Sequence, residues 1–381
     1  MRPSILGLRR RRVSDANGIE QVGYFDCAGG GQVVVRGHVA YIAHIAAPHG
    51  TTIVDVSDPA RPRKLAEITI PDGMHSHKVR VENDVMLVNR EVYPPGPPPP
   101  DFPGGYDIYD VSRPSAPRKI TTWAARGMHR FTFDGRYAYG SPEIDGYRGN
   151  IVMILDVQDP ARPEEVGRWW MPGQWAAGGE VPAWKGVDHR CHHPMRLGNR
   201  LYVSYWHGGF VILDIEQMAK PRLVSGLDWS PPFSSPTHTA LPIPFSLLGR
   251  RVLLVADEDV RRLGPAPPSF LWLVDITDES RPVPFASFQV DDVDGSPQPE
   301  YTGCHQPAEE IRGTEIPVAW FSFGLRIVDI KNPHAPREVA SFVPDVPAGA
   351  ERVQSNDVCF DARGLIYLVD RTRGLHILER A

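Results

Sequence analysis

The sequence predicts an all-β protein, a seven-bladed β-propeller of four-stranded blades closed by an N-terminal strand. Three observations carry this. One short phrase recurs seven times along the 381 residues, each recurrence sits among other strand-like runs, and the last unit is one run short.

The phrase is an apolar strand ending in Asp-Val or Asp-Ile, usually followed by a proline turn. It runs Thr52 to Pro59, Tyr106 to Pro114 and Val152 to Pro160, then Phe210 to Ile215, Leu271 to Ile276 and Leu325 to Pro333, with a truncated copy at Gly374 to Leu378. Each copy follows strands such as Val39 to Ala43 or Leu201 to Ser204 and precedes a fourth run such as Arg63 to Ile68 or Arg337 to Phe342. No helical periodicity intervenes, and Asn or Gly turns such as Glu82-Asn83 and Gly198-Asn199 suit hairpins. The expected blades are 30–70, 73–127, 128–173, 188–232, 237–291, 301–345 and 354–380. The last lacks a fourth strand, and residues 18–26 are expected to supply it and leave no bare edge. Residues 1–17 are expected as a flexible basic tail ahead of one domain, 18–381.

Composition narrows the function. A net charge of −5 with no basic half argues against a nucleic-acid groove. No apolar run approaches the ~18 residues of a membrane span. Arg9 to Arg12 are followed by no apolar segment, so they read as a solvated tail rather than an export signal. Cys27, Cys191, Cys304 and Cys359 have no metal or disulfide spacing, which fits a reducing, cytoplasmic setting. There is no phosphate loop, nucleophile elbow or Ser-His-Asp order, so hydrolysis through a covalent nucleophile is not expected.

Histidines recur where blades begin. His77, His129 and His193 each lie eight residues before the first apolar residue of the second strand, namely Val85, Tyr137 and Leu201. His238 and His305 start units with longer hairpins; Asn356 stands there in the seventh unit, and Gly31 and Gln32 in the first. Innermost strands line a propeller's channel, so these imidazoles are expected to converge on the axis and hold one transition-metal ion. At two places neighbours compete for the role: His75 with His77, and His189 or His192 with His193. Cys191 and Cys304 lie beside the ring as candidate thiolates.

A second register, at the end of the second strands, places Glu91, Glu143, His207 and Glu258 together, with Asp370 and His44 near the equivalent positions. Carboxylates there would orient the imidazoles. A purely structural histidine network would be private to each blade and recur in all seven, whereas two blades lack the histidine.

Proline-rich and aromatic insertions are expected over the same face: Tyr93 to Tyr106 with Phe102, the connection carrying Trp169, Trp170, Met171, Trp175 and Trp184, Ser230 to Pro236, and Asp291 to Thr302. They suggest an apolar pocket for a small organic substrate.

Leu273-Val274-Asp275-Ile276 and Arg326-Ile327-Val328-Asp329 resemble the namesake motif of the LVIVD-repeat proteins, and the resemblance covers nearly the whole chain. It implies blade architecture and leaves function open. The pattern His77, His129, His193, His238 and His305 with Glu91, Glu143 and Glu258 resembles carotenoid-cleavage oxygenases, which implies Fe(II) held by four histidines and oriented by glutamates. It is also similar to the selenium-binding/methanethiol-oxidase proteins, which implies copper and thiol oxidation. The expected activity is a metal-dependent oxidoreductase using Fe(II) or Cu, with Zn third, on a small aromatic or apolar substrate and O2. Two alternatives stand beside it. One is a lyase or hydrolase with the ion as Lewis acid and Asp257 or Glu258 as base; the other is a non-catalytic interaction scaffold.

Overall fold

The structure is a computed structural model describing residues 15–96, 99, 101–230, 232–233, 235–260, 269–290 and 303–381. The insertion Asp291 to Thr302 and residues 1–14 of the expected tail lie outside these, as do parts of Tyr93 to Tyr106 and Ser230 to Pro236. The described residues form seven antiparallel sheets and no helix.

Blades 1, 3, 4 and 5 are four-stranded meanders beginning at Gly30–Arg36, Gly127–Phe133, Arg190–Leu197 and Thr237–Pro242. In blade 2 the innermost strand is split into Met74–His75 and Val79–Glu82, both paired with Val85–Val92. Blade 6 begins with a two-residue strand, Gln306–Pro307. Blade 7 is completed by Ile19–Ala28, which pairs antiparallel with Arg373–Arg380, so the first and last parts of the chain close the ring as expected. One boundary moves: the expected tail ended at residue 17, but Asp15–Asn17 pairs with Arg337–Val343 and adds a fifth strand to blade 6. Backbone groups on that outer edge find partners there.

The recurring aspartate explains the repeat. Asp55, Asp110, Asp156, Asp214, Asp275 and Asp329 each accept the backbone N–H two residues on at 2.8–3.0 Å, which folds the proline turn. Four of them also pair with an arginine eight residues later: Arg63, Arg118, Arg222 and Arg337. The apolar alternation of the strands fills the spaces between neighbouring sheets. One cluster joins Val34, Tyr41 and Ile53 of blade 1 to Val81, Met86 and Val88 of blade 2, and others repeat this around the ring. The inner strands, polar at their starts, are left facing the axis.

Candidate metal centre

A β-bulge recurs near the start of the innermost strands. Pairing skips between Gly30 and Gln32, Met128 and Phe131, Cys191 and His193, Thr237 and Thr239, and Ser355 and Asp357. A bulge leaves one residue without a cross-strand partner and re-aims its side chain. The skipped residues include Gly31, His129, His192, His238 and Asn356. In blade 4 the re-aimed residue is therefore His192, one position from the expected His193. The offset comes from the hairpin: Tyr137 pairs with the repeat aspartate Asp156, but its counterpart opposite Asp214 is Arg200, not Leu201. Counting from an apolar residue slipped by one.

The rings follow one another around an arc. Centroids are 5.1 Å apart for His77–His129, 4.8 Å for His129–His192, 4.5 Å for His192–His238 and 4.2 Å for His238–His305. The bonding of each ring assigns its tautomer. His129 Nδ1 donates to Glu91 Oε2 at 2.8 Å, His192 Nδ1 to the His238 carbonyl at 2.6 Å, and His305 Nδ1 to the Asn356 carbonyl at 2.5 Å. His238 Nδ1 donates to Thr239 Oγ1 at 2.9 Å, and that hydroxyl donates on to Gln306. All four Nε2 atoms thus carry lone pairs.

Two of those lone pairs face each other, and a third, on His238 Nε2, lies 3.4 Å from the Arg130 guanidinium. His129 Nε2 and His192 Nε2 are 3.0 Å apart. Two acceptors at that distance repel unless a cation lies between them, and two ligands at right angles on an ion with bonds of about 2.1 Å are separated by about 3.0 Å. Donor atoms of His192, His238 and Glu258 lie within 4.8 Å of one another. His305 Nε2 is 3.6 Å from Glu258 Oε1. Burial pushes the His192, His238 and His305 imidazoles well below their ordinary pKa, which keeps them in the neutral form a metal binds. Burial also lowers His129, with Glu91 opposing. The donor set fits a transition-metal ion.

The other expected residues fall into distinct places. His77 stacks on His75 at 3.7 Å, and with Glu91 they form a second group whose donors lie within 4.8 Å. His75 donates Nδ1–H to the Ile45 carbonyl and has a free Nε2, whereas His77 Nδ1 lies 3.3 Å from the Asn89 amide nitrogen and so accepts. His193 is fully buried, its backbone N–H donating to Ser204 Oγ and its Nε2 3.7 Å from Glu309. His189 stacks on Trp184 at 4.8 Å, away from the arc. Burial holds the Cys191 and Cys304 thiols well above their usual range, so neither is poised as a thiolate.

At the second register the pairing brings Glu91, Glu143 and Glu258 to equivalent positions, with Ile45, Trp206, Phe321 and Arg371 in the remaining blades; the expected His207 lies one residue past Trp206, the same slip that separates His193 from His192. Asp370 and His44 sit one residue earlier. Asp370 caps Gln354 and Thr372, and His44 bonds Thr52 Oγ1 at 2.7 Å. Asp257 points away from the imidazoles into an aromatic nest, bonded to Trp272 Nε1 at 2.6 Å and Thr237 at 3.3 Å. Glu143 carries a carboxyl raised by burial beside Glu91.

Of the expected pocket aromatics, Tyr93 stacks on His75 at 4.8 Å. Trp169 packs edge-on to Tyr205, and Trp170 and Trp175 pack on each other, so these make their own loop cores. No ring contact ties Phe102 to the arc among the described residues. Two aromatic residues that the sequence did not single out flank the imidazoles instead: Trp206, 4.7 Å from His192, and Phe321, stacked on His305 at 4.5 Å. Phe321 was hidden because its blade carries an aromatic where others carry a carboxylate.

Beneath the histidines the channel is floored by ion pairs that cross the axis. Arg130, fully buried, reaches Gln306 at 2.6 Å and Glu309 at 3.2 Å, and Arg80 pairs with the same glutamate. Glu309 had no sequence signal, since it lies outside both registers.

Comparison with known proteins places this geometry in context. The LVIVD repeat model matches residues 30–67, 197–228 and 318–343. No curated protein matches the sequence. Among solved structures, the periplasmic gluconolactonase of Pseudomonas aeruginosa aligns at a TM-score of 0.61 and 14% identity, covering 87% of this chain and 88% of that one. The WD40 propeller of Doa1 aligns at 0.60 and 7% identity, covering 96% and 97%. Raptor of Chaetomium thermophilum aligns at 0.60 and 14% identity over 97% of this chain, which spans only 30% of that protein. At these identities the likeness concerns the fold alone. Three matched repeats within a closed ring of seven sheets show that the chain is an LVIVD-repeat β-propeller.

Proposed function

We propose that this propeller is a metal-dependent oxidoreductase, of oxygenase or oxidase type, acting on a small aromatic or apolar substrate at one ion held by His129, His192, His238 and His305. The observation that carries the metal reading is the row of four Nε2 lone pairs, two of them 3.0 Å apart, each imidazole having given its N–H to another acceptor. Bound Fe(II) or Cu would supply one-electron chemistry and an open position for O2 or substrate, with Zn as third choice.

The chain's own groups would do the rest. Glu91 and the carbonyls of His238 and Asn356 fix ring orientation. Glu258 stands 3.6–3.8 Å from two imidazoles, close enough to join the ion or steer its ligands. Trp206 and Phe321 offer apolar walls, and the Arg130–Glu309 floor keeps water out from below. A cytoplasmic location belongs to the same proposal and rests on cysteine usage.

A second reading is a lyase or hydrolase with the ion as Lewis acid. Glu143 favours it, because a carboxyl raised by burial near the ring suits a general base or acid. The gluconolactonase neighbour is in keeping with it at the level of fold only.

Metal analysis of the purified full chain tests the proposal. One equivalent of a redox-active metal is expected, lost in the double variant His129→Ala/His305→Ala and in His192→Ala but retained in His193→Ala. Metal-free protein whose stability those ligand substitutions leave unchanged would sink it, and one equivalent of zinc would turn the reading to the Lewis-acid alternative.

A further inference from the structure

One buried amine is unused by this site. Lys78 follows His77 and is 3% exposed. Its backbone N–H is bound by Asn89 at 2.8 Å, but among the described residues its amine makes a single hydrogen bond, 3.5 Å to the Gly31 carbonyl, at the limit of such a bond. No carboxylate of the described residues lies within ion-pair distance of it; Asp357 and Glu258 act on it from farther away. A buried amine with N–H groups to spare is costly, because its donors have left water without finding partners.

Its direction is informative. Gly31 and Asn356 occupy the bulge position in blades 1 and 7, the two blades that have no histidine there, and Asn356 Nδ2 donates to the same Gly31 carbonyl at 2.5 Å. Lys78 therefore extends into the sector of the ring that has no imidazole. Arg371 stands on that side too. Its Nε donates to Asn356 Oδ1 at 2.9 Å, its Nη2 lies 3.5 Å from Glu258 Oε1, its guanidinium lies 5.0 Å over Phe321, and its side chain is 34% exposed, so the part not held by Glu258 reaches solvent.

We infer that Lys78 and Arg371 form an oxyanion subsite beside the ion's open position, and that the substrate carries a carboxylate. The inference rests on the metal reading. Arg371 meets the anion at the mouth, and Lys78, which donates hydrogen bonds in either protonation state, receives an oxygen at the bottom. The apolar walls of Trp206 and Phe321 would then hold the remainder of the substrate.

Cobalt-reconstituted full-length protein provides the test, with formate as anionic probe and imidazole as neutral probe, both read by cobalt absorption. In the wild type both probes should perturb the spectrum. Lys78→Met should weaken formate by about tenfold or more, the worth of a charge-assisted hydrogen bond, while cobalt content and imidazole affinity stay within about twofold. A purely structural lysine would lower the melting temperature and leave the formate-to-imidazole ratio unchanged, which overturns the inference, as does a cobalt-loaded wild type that ignores formate. Failure to take up cobalt at all would instead overturn the metal reading. If Lys78→Met does not fold, Arg371→Gln at the open end carries the same comparison, with a smaller expected loss of about threefold.

Discussion

Each of the four imidazoles is committed by what its Nδ1 touches, so the partner of Nδ1 decides whether Nε2 is left with a lone pair. Glu91 is the only carboxylate among those partners; burial would raise its carboxyl, but His129 beside it outweighs that and holds it low. Glu91→Gln keeps the shape and removes the charge. It should weaken metal binding by about 10–100-fold, measured by competition with a chelator, with little change in melting temperature. Asp257 gives a different prediction, since burial pushes its carboxyl up to about 7 against the pull of the Trp272 indole and the Thr237 hydroxyl. Between about pH 4 and 7 the folded state then binds more protons than the unfolded one, so this residue makes stability fall as pH rises through that window. Asp257→Asn should therefore melt higher than the wild type at pH 8, by about 2 kcal/mol of stability, and nearly alike at pH 4, as thermal unfolding at the two pH values would show.

At the scale of the element, the β-bulge decides which side chain meets the axis. It also demands glycine in blade 1, where a Cβ on Gly31 would lie 2.5 Å from His77 Cβ and 2.6 Å from its carbonyl oxygen. Gly31→Ala should cost about 1–3 kcal/mol in chemical denaturation, because two inner strands must separate to admit a methyl group. The repeat itself was legible in the sequence because the aspartate turn is local chemistry, complete within three residues. The bulge was not, because it is a property of two paired strands. That is why the spacing from Tyr137 located His129 and the spacing from Leu201 pointed to His193 rather than His192.

Over the whole molecule, closure joins residues more than 340 positions apart, with Ile19 opposite Arg380 and Phe25 opposite Leu375. Deleting the chain through residue 28 would leave Arg373–Arg380 as a long bare edge. Such a variant should lose cooperative unfolding and elute as aggregate on size exclusion. The expected closure was readable from a missing fourth strand at one end and a spare strand at the other. The axial floor was not, since Arg80 and Arg130 meet Glu309 across 229 and 179 residues of sequence.

By itself the sequence determined the number of blades, the closing strand, the kind of donor that gathers on the axis and the carboxylate register behind it, because periodic turn chemistry and strand alternation are short-range and repeat. Only the tertiary structure decided that His192 takes the axial place, that backbone carbonyls as well as Glu91 fix the tautomers, that Asp257 faces an aromatic nest, and that Lys78 and Arg371 fill the sector without histidine. Each of those depends on which blade stands beside which around a closed ring, where contacts form between residues that no local pattern relates.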